Sequence, residues 1–352
     1  MKYHVIVLGC QMNISDAERV SAILEAAKYK KTSDINEADL IVVVMCSVRQ
    51  SAVDRIFGLV EKFKKLDKEP ITILTGCILK KDRKTFSEKF DHVINIKETI
   101  NLEKILNNKK SKSCRDYFEI MPKHFKKSSA FLPISNGCNN FCTYCVVPYA
   151  RGRLICRDHK KIIAEAKELI NKGFKEIWLL GQNVNDYSSP IDSSIDFPKL
   201  LIMVNELPGN FKIYFMSPNP KNFSDKLIKT MKNCEKFSRY LNLPVQSGDN
   251  EILKKMNRPY TAEQYISLVK KIRQAIPDIN LSTDVIVGFP SETKKQFENT
   301  VKLFRKTKFN IAYINKYSPR YGTAASKLED DVTWAEKKRR EKILIDLVNK
   351  KD

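Results

Sequence analysis

The stretch AFLPISNGCNNFCTYC, residues 130–145, sets a short apolar run directly before three cysteines spaced C-x3-C-x2-C. The run reads as a β-strand because it is brief, apolar and bounded by turn residues at Asn136 and Gly137. Later runs of the same kind follow at 175–180 (KEIWLL), 212–216 (KIYFM), 239–245 (RYLNLPV), 280–289 (NLSTDVIVGF) and 310–317 (NIAYINKY), with amphipathic segments between them. Six strand signals alternating with helices predict an open, TIM-like (β/α)6 barrel. The carboxyl-terminal mouth of such a barrel carries its chemistry, and the cysteine loop follows the first strand at that mouth.

Residues before this stretch alternate in the same way. Strands are expected near 3–8, 39–45, 71–75 and 92–95, and helices near 15–28, 50–66, 80–89 and 99–109. Alternation of this kind predicts a doubly wound parallel sheet, in which ligands bind at the carboxyl ends of the strands. Cys10, Cys46 and Cys77 end the runs VIVLGC, LIVVVMC and ITILTGC, so three successive strands each deliver one thiol to that edge. The expected organisation is an N-terminal domain over 1–110, a polar lysine-rich linker over 111–129, a barrel over 130–330 and a charged terminal helix over 331–352.

Composition narrows the partners. The formal net charge is +22 and is spread along the chain, a field that attracts phosphates and makes nucleic acid the natural partner once another signal points there. The first apolar run, VIVLG, is too short for a membrane span and is followed at once by CQMN, so a cytoplasmic chain is expected. Nine cysteines, an odd number, agree with free or metal-bound thiols in a reducing compartment.

Each triad is one thiolate short of a closed tetrahedral zinc site. An iron–sulfur cube held by three cysteines instead leaves one iron free to bind something else. Cys114, Cys156 and Cys234 have no partner motif and read as incidental or buried thiols, and His4, His92, His124 and His159 lack ligand spacing. The rival reading from these residues alone is a basic RNA-binding module whose cysteines hold structural zinc.

With Tyr144 before its third cysteine, the loop 136–153 (NGCNNFCTYCVVPYARGR) resembles the signature of radical S-adenosylmethionine (SAM) enzymes. Beyond the loop, GCQMN (9–13), MCSVRQSA (45–52), TGC (75–77), LLGQNVNDY (179–187), LPVQSGDNEILKKMNRPYT (243–261), TDVIVGFPSET (283–293) and YSPRYGTAA (317–325) resemble the motifs of the methylthiotransferase family. GCQMN, C-S-V-R, CTYCVVPYARG and GQNVN favour its MiaB-type branch.

The resemblance implies two [4Fe–4S] clusters, an auxiliary one on Cys10, Cys46 and Cys77 and a SAM-cleaving one on Cys138, Cys142 and Cys145. It also implies a tRNA substrate, isopentenyl-adenosine at position 37, methylthiolated at the adenine C2. Threonylcarbamoyl-adenosine and a ribosomal-protein aspartate are the alternatives within the family. The hard step then belongs to the cofactors, so no catalytic acid–base set is expected. An electron donor such as flavodoxin or ferredoxin is implied, with no membrane partner. Tyr144, Gln182, Asn183, Gln246, Ser247, Gly288 and Glu292 are expected to line the SAM site, and Arg151 and Arg153 to face SAM carboxylate, RNA phosphate or plain solvent. Three features depart from the family: Asn242 stands where histidine is usual, MSPNP (216–220) where SHP is common, and the sequence given stops after the terminal helix, before the small RNA-gripping TRAM barrel of relatives.

Overall fold

A computed structural model describes residues 1–48, 50–107 and 117–350. Arg49 of the C-S-V-R motif, Cys114 and the first part of the expected linker lie outside the described residues. The chain divides into two compact units: Met1–Pro133 with Val146–Gly152, and Ile134–Cys145 with Arg153–Asp352.

The first unit contains β1 (Lys2–Leu8), α1 (Gln11–Ala26), β2 (Lys30–Lys31), β3 (Leu40–Cys46), α2 (Gln50–Phe63), β4 (Ile71–Cys77), α3 (Lys80–Phe86), β5 (His92–Val93), α4 (Leu102–Asn107) and β6 (Ser129–Pro133). Strands β1 to β5 form one sheet in the order β2-β1-β3-β4-β5, with every pair parallel. Successive side chains of β3 serve opposite faces. Leu40, Val42 and Val44 pack with Ala17, Val20 and Leu24 of α1, whereas Ile41, Val43 and Met45 pack with Val53, Ile56 and Val60 of α2 and Phe86 of α3. Each such aliphatic side chain contributes about 1.5–3 kcal/mol when fully buried. Helices on both faces give the doubly wound sheet expected from sequence.

Differences from expectation lie at the edges. Helix α1 starts at Gln11, immediately after Cys10, because Asn13 turns back to accept the Cys10 amide at 3.2 Å. The described part of the polar stretch joins the N-terminal core: Tyr117, Phe118 and Ile120 are buried against α1 and its neighbours. Lysine-rich composition hid these three apolar anchors.

In the second unit, β7 (Ser135–Asn136) precedes the cysteine loop, and α5 (Val147–Ala150), which clusters with the first unit, follows it. There follow β8 (Ile155–Cys156), α6 (His159–Asn171), β9 (Glu176–Leu180), β10 (Ser188–Ser189), β11 (Asp192–Asp196), α7 (Phe197–Asn205), β12 (Lys212–Phe215), α8 (Asp225–Asn233), β13 (Tyr240–Asn242), α9 (Asn250–Lys255), α10 (Ala262–Ala275), β14 (Asn280–Val287), α11 (Lys294–Thr307), β15 (Ile311–Lys316) and α12 (Trp334–Asn349). Strands β12 and β9 pair in parallel, as do β13, β14 and β15 in that order. A parallel bridge between Ile213 and Phe237 continues the curved wall toward β13. Within the second unit, β9, β12, β13, β14 and β15 alternate with helices, as the open (β/α) barrel pattern requires. Two antiparallel ribbons, β10–β11 and β7–β8, are additions to it, too short and polar to be legible from periodicity.

Candidate metal centres and SAM site

Parallel register brings two of the dispersed cysteines together. Cys46 and Cys77 are direct partners at the carboxyl ends of β3 and β4, and Cys10 stands at the end of β1 as the residue before α1. Asn13 ties the three segments: its Nδ2 donates to the Met45 carbonyl at 3.0 Å and lies 3.8 Å from Cys77 Sγ, while its Oδ1 accepts the Cys10 amide. Cys46 and Cys77 are buried and Cys10 is exposed, so the triad has a dry side and an open side. A hydrogen bond from the Cys46 thiol lowers Cys77 and raises Cys46; the Arg151 guanidinium also lowers Cys77, against its burial. Val146 and Ala150 pack with Cys46, Cys77 and Leu79 in a small apolar cluster.

Arg151 belongs to this site rather than to solvent. Its Nε donates to Cys77 Sγ at 2.8 Å and its Nη2 to Asp16 Oδ2 at 2.5 Å, and the residue is 3% exposed. Burial opposes its charge, and Asp16 followed by Cys77 outweighs that cost. Arg153 differs, with its guanidinium 4.4 Å from the centre of the Phe141 ring.

The compact loop is tied down at both ends and in its middle by hydrogen bonds. Ser135 pairs with Cys156 and Asn136 with Ile155 across β7 and β8, and Asn139 Oδ1 accepts the Leu154 amide at 3.1 Å. Phe141 takes a left-handed conformation, φ 47°, and Asn257 Nδ2 satisfies the Asn140 and Phe141 carbonyls at 3.1 Å each. Non-glycine residues in that region cost about 1–3 kcal/mol and concentrate at functional sites. Asn140 Nδ2 lies 3.4 Å from Cys138 Sγ, and Arg258 Nη1 lies 3.6 Å from Cys142 Sγ. Sequence reasoning missed Asn13, Asp16, Asn140 and Arg258, although GCQMN and NRPYT contain two of them.

The residues expected around SAM occupy different environments. Tyr144 packs against the cluster of Ile252, Met256, Phe289, Tyr317 and Ala325, and burial pushes its hydroxyl far upward. Gln182 Oε1 accepts the Gly137 amide at 2.5 Å, anchoring the loop just before Cys138. Asn183 is 2% exposed; its Oδ1 accepts the Asn219 amide, while its buried Nδ2 has no hydrogen-bond partner among the described residues. Ser135 Oγ, at the strand end beside Gly181, is likewise buried and without a hydrogen-bond partner among the described residues. Gln246 has φ 69° and bonds through its backbone to Asp284 and Ile286; Ser247 Oγ accepts the Asp249 amide.

Glu292 is engaged internally. Its carboxylate accepts from Gly288 N at 2.6 Å and from Arg340 Nη1 at 2.7 Å, and burial pushes its carboxyl upward against both. Asn242 is also spent inside the wall, donating to Ser282 Oγ and Asp284 Oδ2. Cys156 lies in β8, and Cys234 is a buried thiol pushed up to about 11 by burial.

Among the described residues, no three His, Cys, Asp or Glu side chains close around one point as a single ion requires. Two sets of three thiols without a fourth donor suit a cube, whose irons each take a separate ligand and leave one corner open. The orphaned Asn183 Nδ2 and Ser135 Oγ suit a polar ligand at the strand ends of the second unit. Among the described residues, no helix is long and apolar enough to cross a membrane.

Residues 132–304 match the family described as the Radical SAM superfamily, and residues 2–96 match the uncharacterized protein family UPF0004. The tRNA-2-methylthio-N(6)-dimethylallyladenosine synthase of Thermoanaerobacter sp. (strain X514) is 41% identical over 99% of this chain and 78% of its own length. The protein of the same name from Clostridium novyi (strain NT) is 42% identical over 99% of this chain and 81% of its own. In fold, the chain is similar to the radical SAM methyltransferase TsrM from Kitasatospora setae, with TM-score 0.65 and 14% identity over 92% of this chain and 75% of that one.

Proposed function

The chain belongs to the tRNA-2-methylthio-N(6)-dimethylallyladenosine synthase family, and from that membership we propose that it adds a methylthio group to C2 of N6-isopentenyladenosine at position 37 of tRNA by radical SAM chemistry. The observation that carries the reading is the convergence of Cys10, Cys46 and Cys77 at one end of a parallel sheet, separate in sequence from the Cys138, Cys142 and Cys145 loop. The dispersed triad holds the auxiliary [4Fe–4S] cluster, and the loop holds the SAM-cleaving one. When bound, the two clusters supply a transferable sulfur and the electron that cleaves SAM.

The protein's own residues bind and orient. Gln182 fixes Gly137 and so the start of the loop; Arg258 faces Cys142 from a buried position; Asn183 Nδ2 and Ser135 Oγ offer a donor and a hydroxyl to SAM. Resemblance to the family assigns Tyr144, Gln246, Ser247 and Gly288 to SAM binding, and Glu292 acts indirectly by holding the Gly288 amide. Lysine and arginine excess draws tRNA and an acidic electron carrier of the flavodoxin or ferredoxin type, and the working compartment is the cytoplasm.

Mass spectrometry of tRNA nucleosides from a deletion strain tests the substrate: loss of methylthio-isopentenyladenosine is expected, and an undiminished level would sink the assignment. Iron and sulfide counts on Cys10→Ala test the site. One cluster and SAM cleavage are expected to survive without methylthio product, whereas an unchanged count removes Cys10 as a ligand.

A further inference from the structure

Arg151 lies six residues beyond Cys145 in the chain, yet its guanidinium faces the other triad. It stands in a buried chain of four side chains: the Tyr117 hydroxyl donates to Asp16 Oδ1, Arg151 Nη2 donates to Asp16 Oδ2, and Arg151 Nε donates to Cys77 Sγ. Tyr117, Asp16, Arg151 and Cys77 are each less than 5% exposed. Asp16, followed by Cys77, keeps this buried guanidinium charged. The bond to sulfur is a second, directional contact, aimed at a residue assigned as a cluster ligand.

Because Asp16 offsets the charge of Arg151, the pair adds little net charge near the triad. What survives is the directional N–H···S bond. Electron density on a ligand sulfur rises when an iron–sulfur cluster is reduced, so a donor to that sulfur stabilises the reduced form more than the oxidised one.

We propose that Arg151 is a positioning residue for the auxiliary cluster: its Nε–H bond to Cys77 Sγ makes that cluster easier to reduce, and Asp16 with Tyr117 holds the guanidinium in the plane that makes the bond. The inference rests on the reading of Cys10, Cys46 and Cys77 as cluster ligands. Asymmetry within the triad follows, since Cys77 is dry and held by Arg151 while Cys10 is exposed.

The test uses the full chain with Cys138, Cys142 and Cys145 replaced by alanine, reconstituted anaerobically and poised at fixed potential, with the reduced fraction read by electron paramagnetic resonance. Arg151→Met combined with Asp16→Asn removes the bond without stranding a buried charge. The expected result is a tenfold or greater fall in the reduced-to-oxidised ratio, about 59 mV for a one-electron couple. Arg151→Lys keeps the charge against Asp16, guards the fold and is expected to fall in the same direction.

A ratio within twofold of the parent in the double variant, or in Arg151→Lys where the double variant does not fold, overturns the inference while the cluster assignment stands. A parent that holds no iron overturns both.

Discussion

Arg258 Nη1 stands 3.6 Å from Cys142 Sγ, while its Nε donates to the Tyr260 hydroxyl at 2.8 Å and its Nη2 to the Pro244 carbonyl at 3.1 Å. The guanidinium is thus aimed from three directions. Tyr260 in turn donates to the Val245 carbonyl, one residue before Gln246, so the loop cysteine and the end of the LPVQSG segment share one buried support. Loss of such outer partners typically costs 10–100-fold in metal affinity or activity. Arg258→Met is therefore expected to slow 5′-deoxyadenosine formation from SAM by about 10–100-fold, with Arg258→Lys between it and the parent. Product chromatography together with an iron count checks this; a parental rate with full iron would show that Arg258 has no part in the loop's function.

Asn13 is fully buried and serves Cys10 and Met45 at once. Asn13→Ala leaves the Cys10 amide and the Met45 carbonyl without that partner, at a cost of about 1–3 kcal/mol. Urea unfolding of the metal-free protein measures the cost, and iron content should fall with it. Asn13→Asp restores the acceptor but turns an oxygen toward the Met45 carbonyl, so it is expected to rescue neither quantity.

Gly76 precedes Cys77 with φ 111°, and a Cβ there would lie 2.3 Å from the Met45 carbonyl oxygen and 3.0 Å from the Met45 amide nitrogen. Both obstacles are backbone, which cannot swing aside. Gly76→Ala is expected to cost more than the roughly 1–3 kcal/mol of the left-handed backbone alone and to move Cys77 out of register with Cys46. A stable variant with parental iron content would contradict this account of the β4 terminus.

Glu336 opens the terminal helix α12 and accepts from Arg339 and Arg340, which lower its carboxyl from the usual 4.5 to about 2, the Arg339 bond most of all. A folded-state value below the unfolded one means stabilisation present above pH 4.5 and lost as pH falls from there toward 2. Acid titration followed by the fluorescence of Trp334, two residues away, should show a transition in this window that Glu336→Gln diminishes. Identical curves for the two proteins would remove Glu336 as its source.

The thiol spacings and the strand-helix alternation were legible because both are local properties of the chain. C-x3-C-x2-C is a single loop, and runs such as LIVVVMC need no partner to be read as buried parallel strands. Even the convergence of Cys10, Cys46 and Cys77 was available, since parallel strands place their carboxyl ends on one edge. Relatives' motifs carried the reading further, to a methylthiotransferase.

Hydrogen-bond destinations were not local and so were not legible. Arg151 sits two residues before Arg153 in the same ARGR run, yet one guanidinium is buried on Cys77 and Asp16 and the other stacks on Phe141. Glu292, expected at the SAM site, is bound by Arg340 of α12, 48 residues further along the chain. Sequence by itself determined which residues bear chemistry and which strand ends present them. Only the tertiary structure decided which charges neutralise one another, because a buried charge is satisfied by whatever packing brings within hydrogen-bond reach, however distant in the chain.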